Sequence, residues 1–191
     1  ADMESLERRV TSLGKKAKGG DKESKILLDL VERALKVLEQ GQPARTMEIS
    51  EDEAKPFQML QLLTSKPILF VCNVEEEAAA KGNALSAKVA EMAATQGARS
   101  VVISAKIEEE VSQLDSEEEK QEFLETLGLE ETGLARVIRE GYALLGLITF
   151  FTVGPKEARA WTVHKGSKAP QAAGAIHSDF ERGFIKAETI A

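Results

Sequence analysis

The sequence is poor in several things at once. It has one cysteine, two histidines, one tryptophan and one tyrosine in 191 residues, and aromatics make up 5% of it. A single thiol, Cys72, excludes an internal disulfide. The chain therefore reads as cytosolic, with Cys72 a small buried hydrophobe inside an apolar run. His164 and His177 stand without cysteines or paired acids at ligand spacing, which argues against a metal site. No apolar run approaches the ~18 residues of a membrane span. No charged start, apolar core and cleavage site open the chain, so no secretory leader is expected.

Also missing is the phosphate-binding pattern G-x-x-x-x-G-K-[ST]. The nearest stretch, GKKAKGG (Gly14 to Gly20), lacks the Lys-Ser/Thr pair. Without that loop there is no backbone cradle for phosphates, no lysine for the β- and γ-phosphates and no hydroxyl for Mg²⁺. No catalytic residue can be assigned on these grounds.

What is present is charge, and it is unevenly placed. Charged residues make up 30% of the chain, with a net charge of −7. Residues 107–141 carry 12 acids and 3 bases, whereas residues 146–191 carry 4 acids and 6 bases. Arg8 to Lys25 holds 7 bases and 2 acids, so an acidic chain has a basic spot near its start.

Apolar spacing divides the chain into elements. Met3, Leu6, Val10, Leu13 and Ala17 mark one helix stripe, and Leu27, Val31, Ala34 and Leu38 a second. Gly19 and Gly20 stop the first helix, and Asp21 suits the N-cap of the second. An antiparallel helical hairpin ending near Gly41–Arg45 follows. Ser50 and Glu53 fit a capping box ahead of Phe57, Leu60 and Leu63, with Pro56 predicting a kink or a later start. The unalternating run Ile68–Cys72 predicts a strand covered on both faces. A helix over Leu85–Met92 and a buried strand over Ser100–Ser104 complete a right-handed βαβ unit.

Two acidic helices follow, capped by Ser116 and Thr132, the second turning Leu134, Val137 and Ile138 inward. From Leu147 the pattern becomes strand (LITFFTVG), turn (Gly154-Pro155-Lys156), strand (EARAWTV), short helix (APQAAGAIH) and strand (FIKAETI), a small α+β module. The chain opens at Ala1 inside a helical pattern and closes on an apolar run, and both ends read as cut.

The first predicted strand ends in Asn73-Val74-Glu75-Glu76. In open α/β sheets ligands sit at the carboxyl ends of strands. In GTPases of the P-loop class the corresponding strand ends in Asn-Lys-x-Asp, whose Asp accepts guanine N1–H and the 2-amino group. Here the spacing survives, but the acid is longer and the lysine is a valine. Adenine presents an acceptor at N1 and a donor at N6, so altering the acid's geometry changes which edge leaves buried groups unpaired. The second strand ends in Ser104-Ala105-Lys106, where GTPases carry a loop whose backbone N–H groups meet the base. Each motif alone is weak. Together, at two strand ends of one βαβ unit, they point to recognition of a nucleotide base.

These residues bring out a family likeness. Over essentially its whole length the chain resembles the YchF subfamily of Obg-like ATPases. The stretch Gly154 to Glu188 is similar to that family's TGS domain, LLTSKPILFVCNVEE to its altered base-specificity motif, and ADMESLERRV with GGDKES to its inserted coiled-coil domain. The likeness implies an α/β fold: part of a P-loop NTPase G domain with a parallel sheet (residues 46–145), an antiparallel coiled-coil hairpin (1–45) and a truncated C-terminal β-grasp TGS domain (146–191). It implies binding of ATP in preference to GTP through Asn73, Val74, Glu76, Ser104, Ala105 and Lys106, with Val74 offering main-chain contacts to adenine. Hydrolysis and Mg²⁺ would depend on a P-loop and switches upstream of Ala1, so this chain alone would be inactive. The implied partners are the ribosome (large subunit or 70S) and RNA, in the cytoplasm and away from membranes.

Blander readings stand beside these. Lys15, Lys16, Lys18, Lys22 and Lys25 form either a contact for ribosomal RNA phosphates or a solvated turn. Trp161 reads as strand core rather than a stacking platform. The acidic run Glu108 to Glu131 reads as the wet face of two helices. A non-catalytic docking module, working through the helical hairpin and the TGS-like part, is the alternative to an enzyme.

Overall fold

The computed structural model describes residues 1–190, which fall into two compact units: residues 1–72 with 83–100, and residues 73–82 with those from 101 onward.

The first unit opens with helices α1 (Asp2–Lys18) and α2 (Lys22–Glu39). The break between them is three residues long, shorter than the glycine- and lysine-rich stretch suggests, because α1 continues through Lys18. Gly20 takes φ +92°, a conformation that costs a residue with a Cβ, and this lets the chain reverse. Asp21 stands at the N-cap of α2, where the Ser24 hydroxyl donates to its carboxylate. Heptad-like spacing brings Leu6, Val10 and Leu13 against Leu27, Val31 and Ala34, with Ala44, Leu60 and Leu62 closing the cluster. Met3, at the start of the stripe, stays exposed.

Two carboxylates pin the segments that follow. The Asp2 carboxylate accepts from the N–H groups of Leu63 (3.1 Å) and Thr64 (2.8 Å) and from the Thr64 hydroxyl (2.7 Å). Burial pushes its pKa up, yet these bonds to the charged form win, and the net direction is down. Glu53 accepts the Ser50 N–H at 3.0 Å and pairs with Arg33, which also donates to the Glu48 carbonyl at 2.7 Å. The Ser50 bond and the Arg33 guanidinium hold Glu53 down to about 2. Helix α3 (Glu51–Met59) starts where the capping box puts it, with Pro56 inside the helix; a later start is not what forms.

Strand β1 (Leu69–Asn73) leads through helix α4 (Ala84–Thr95) to strand β2 (Arg99–Ile103). The Ile68 carbonyl accepts from Arg99 N–H (3.1 Å), and Val74 N–H donates to the Ile103 carbonyl (2.9 Å), so the two strands run in the same direction. They form a two-stranded sheet. The expected cover on both faces is not found, since Val71 is 47% exposed. A run of apolar residues records what a strand is suited to face, not what lies against it among these residues. Ser104 is not part of the strand; it leaves it to become the N-cap of the next helix.

In the second unit, α5 (Ala105–Ser112), α6 (Glu117–Thr126) and α7 (Gly133–Leu145) follow in order. Ser116 and Glu119 form the expected capping box, and Thr132 Oγ1 accepts from Ala135 N–H at 3.1 Å. Ala79, Ile107, Val111, Leu124 and Leu129 make the core of this part. Leu134 and Ile138, expected to face inward, are 61% and 52% exposed, because no surface among the described residues covers that side of α7. Strands β3 (Leu147–Val153) and β4 (Ala158–His164) pair antiparallel from Leu147↔His164 to Val153↔Ala158. Trp161 is half-buried in this sheet, with its Nε1–H on Thr152 Oγ1 at 2.9 Å and the Arg159 guanidinium 4.3 Å over its ring. Helices α8 (Ala169–Ile176) and α9 (Ser178–Arg182) come next. The strand expected over FIKAETI does not form: residues 184–190 have no regular structure, and no described strand pairs with them. An isolated strand has no ladder to satisfy its backbone.

Candidate functional site

The carboxyl ends of β1 and β2 lie side by side, and the two short motifs singled out by spacing meet there. The link is built from an unsatisfied helix end. The first N–H groups of any α-helix lack partners within it. At α5 the N-cap is Ser104, whose side chain makes no capping bond. Instead Asn73 Oδ1, from the end of β1, accepts the Ala105 N–H at 2.9 Å. An asparagine on one strand thus caps the helix that follows the other. Ser104 itself is buried, 2% exposed.

Beyond Asn73 the chain turns through a 3₁₀ segment, Glu76–Ala78. The Glu76 carboxylate forms an ion pair with the ammonium of Lys106, in the first turn of α5. The Lys106 side chain is 66% exposed and that of Glu76 31%, so the acid is the more enclosed partner. Glu110 lies one turn on, 4.0 Å from the same ammonium. The hydrogen bond to Glu76, followed by its charge and that of Glu110, raises the Lys106 pKa. Val74 gives its N–H to the Ile103 carbonyl, which leaves the carbonyl as the main-chain group it can offer a ligand. The six candidate residues of the two motifs are therefore in one place: Asn73, Val74 and Glu76 on one side, Ser104, Ala105 and Lys106 on the other.

Sequence reasoning missed the supports of this place. Glu108, one turn into α5, accepts from the N–H groups of Gly133 (2.6 Å) and Leu134 (3.0 Å), and so caps α7. The approach is close: a Cβ on Gly133 would sit 2.8 Å from Glu108 Oε1 and 2.9 Å from Ile103 Cγ2. Arg136 of α7 donates through Nη1 to the Ala79 carbonyl at 3.3 Å, holding the end of the turn that carries Glu76. The Thr132-Gly133 pair at a helix start was a visible signal for a tight N-terminus, but nothing in the spacing named Glu108 as its partner. Asn83 was a missed cap as well; its Oδ1 accepts from Leu85 N–H (3.0 Å) and Ser86 N–H (2.9 Å), which starts α4 one residue before the periodicity does.

The other predicted cluster is spread over a helix end and a helix start. Lys15, Lys16 and Lys18 close α1, Lys22 and Lys25 open α2, and all five are exposed. Among the described residues no group of three or more His, Cys, Asp or Glu is placed to hold a metal ion, and no helix is long and apolar enough to cross a membrane.

An α/β chain with two small sheets and paired motifs at parallel strand ends is the class that fold and site define, and comparison with known proteins narrows it. Residues 147–191 match a family described as YchF-GTPase_C, Protein of unknown function (DUF933). The chain is homologous along its whole length to the YchF proteins. It is 50% identical to the ribosome-binding ATPase YchF of Bacillus subtilis and 49% identical to that of Haemophilus influenzae, in each case over 100% of this chain and 52% of the relative. The structure of the Schizosaccharomyces pombe YchF GTPase superposes with a TM-score of 0.82 at 33% identity, covering 96% of this chain and 50% of that one. The chain thus spans about half the length of the curated relatives it matches.

Proposed function

We propose that this chain is the base-reading and docking part of a cytoplasmic, ribosome-associated P-loop NTPase that binds and hydrolyses ATP in preference to GTP. The observation that carries the reading is the meeting of Asn73 with Ala105 and of Glu76 with Lys106 at adjacent strand ends. Strand ends of this kind are where α/β sheets hold ligands. Asn73, Val74, Glu76, Ser104, Ala105 and Lys106 would form the purine site. Residues 46–145 would belong to a G domain, 1–45 to an inserted coiled-coil hairpin, and 146–191 to a TGS domain of β-grasp type.

Homologues named ATPase and a structural neighbour named GTPase support the nucleotide class. Phosphate chemistry would fall to residues outside this sequence, since no phosphate-binding loop occurs in it. The hydroxyl that would hold Mg²⁺ beside the phosphates belongs to that same loop, so the ion would be held there with them. The chain alone is expected not to turn over ATP. The test is nucleotide binding by the full-length protein carrying Glu76→Asp. Preference for ATP over GTP should fall, and an unchanged preference would remove base selection from that carboxylate.

A docking role has its own support in the exposed lysines at the α1–α2 turn and in relatives named ribosome-binding. Clustered ammonium groups suit RNA phosphates on a ribosome, through contacts that weaken as salt rises.

A further inference from the structure

We propose that Lys106 is the positioning residue that sets purine preference, by engaging the Glu76 carboxylate that would otherwise read guanine. The inference rests on the base-reading function above and gives one residue a distinct part in it.

A guanine edge offers two donors, N1–H and the 2-amino group, and one acceptor, O6. A protein reads it with a free carboxylate for the donors and a free N–H for the acceptor. Here both complements are already partnered within the protein. The carboxylate of Glu76 is paired with the Lys106 ammonium, and the Ala105 N–H is given to Asn73 Oδ1. Guanine would have to displace an ammonium from a carboxylate, exchanging a charge-assisted bond for bonds to a neutral base. Adenine makes no such demand. Its N1 is an acceptor that an isolated carboxylate would repel, and neutralising Glu76 with Lys106 removes the repulsion.

Neither side of the ion pair is loosely hung. The Glu76 turn is tied by Arg136 to its Ala79 carbonyl, and α5 is held through Glu108 on the start of α7. The charged groups facing Lys106 are Glu76 and Glu77 on the turn and Glu110 on its own helix, all acidic. Its ammonium therefore has strong cause to stay over the turn.

The experiment is titration of the full-length protein with ATP and with GTP, comparing the unsubstituted protein with Lys106→Met, Lys106→Arg, Glu76→Gln and the Glu76→Gln/Lys106→Met pair. Lys106→Met should lower the ratio of ATP to GTP affinity by about tenfold or more, the scale of one charge-assisted bond. Lys106→Arg, which keeps the charge, should hold the ratio. In the Glu76→Gln background, Lys106→Met should change the ratio no further. A general structural defect lowers both affinities together and leaves the ratio alone, and that result overturns the proposal. So does a ratio shift of equal size with and without the Glu76 carboxylate. Loss of preference in Glu76→Asp with an unchanged ratio in Lys106→Met sinks this inference alone. Failure of the unsubstituted protein to bind either nucleotide sinks the base-reading function with it.

Discussion

The helix pair α1–α2 and the strand pair β3–β4 are both local antiparallel structures made by a short reversal, yet they finish differently. Leu6 and Val31 have no exposed surface, and Ala44, Leu60 and Leu62 seal the same cluster. The strand pair leaves Phe151 74% and Val153 85% exposed on its outer face. Two helices can turn their stripes toward each other and share one interface. Two paired strands cannot, because alternate side chains point to opposite faces and one face needs something else to cover it. A closed core and an open apolar face thus come from the same kind of connection, and the difference lies in side-chain direction.

That contrast can be broken by substitution. Leu6→Ala should destabilise the protein by about 2–5 kcal/mol, since it empties a sealed cluster. Phe151→Ala should cost less than about 0.5 kcal/mol, as for other surface changes. Urea unfolding of the two variants measures both. Similar losses would mean that the outer face of the strand pair is covered in solution.

A smaller effect is expected where α5 meets α7. Gly133→Ala puts a methyl against Glu108 Oε1 and the Ile103 side chain, and should cost about 1–3 kcal/mol through overpacking. Ile103 closes β2 just before the paired motifs, so the same substitution should weaken nucleotide binding in the full-length protein. A neutral outcome in both assays would show that Glu108 and Ile103 yield freely.

The mildest effect concerns Glu53, which ties α3 to α2 through Arg33. Its folded pKa of about 2 lies below its ordinary value of 4.5. The stabilisation it supplies is therefore complete above pH 4.5 and disappears as pH falls through about 2. Denaturation midpoints measured through that window should fall less steeply for Glu53→Gln than for the parent. Parallel curves would remove Glu53 from the acid response.

Much of this was legible in the residues. The Ser50–Glu53 and Ser116–Glu119 boxes marked their helix starts because a cap is local chemistry, a hydroxyl or carboxylate meeting N–H groups three residues away. The helix stripes and the βαβ order followed from periodicity. The meeting of Asn73 with Ala105 was legible only as two short motifs at two strand ends, since sequence spacing says nothing of which atom caps which helix. Glu108 on Gly133 was invisible for the same reason: 25 residues separate partners that only folding brings together. Exposure was the least legible property. Ile68–Cys72, Leu134, Ile138 and FIKAETI all have the composition of buried segments, but burial belongs to whatever lies opposite, and that is not written in the segment itself.

Helix α5 borrows its first cap from a residue 32 positions earlier in the chain, across the gap between two strands. Its own N-cap serine does nothing to replace that bond. Whatever parts β1 from β2 also leaves α5 without its lid, so the helix start behaves as a seal on the join, intact only while both strand ends stay in register.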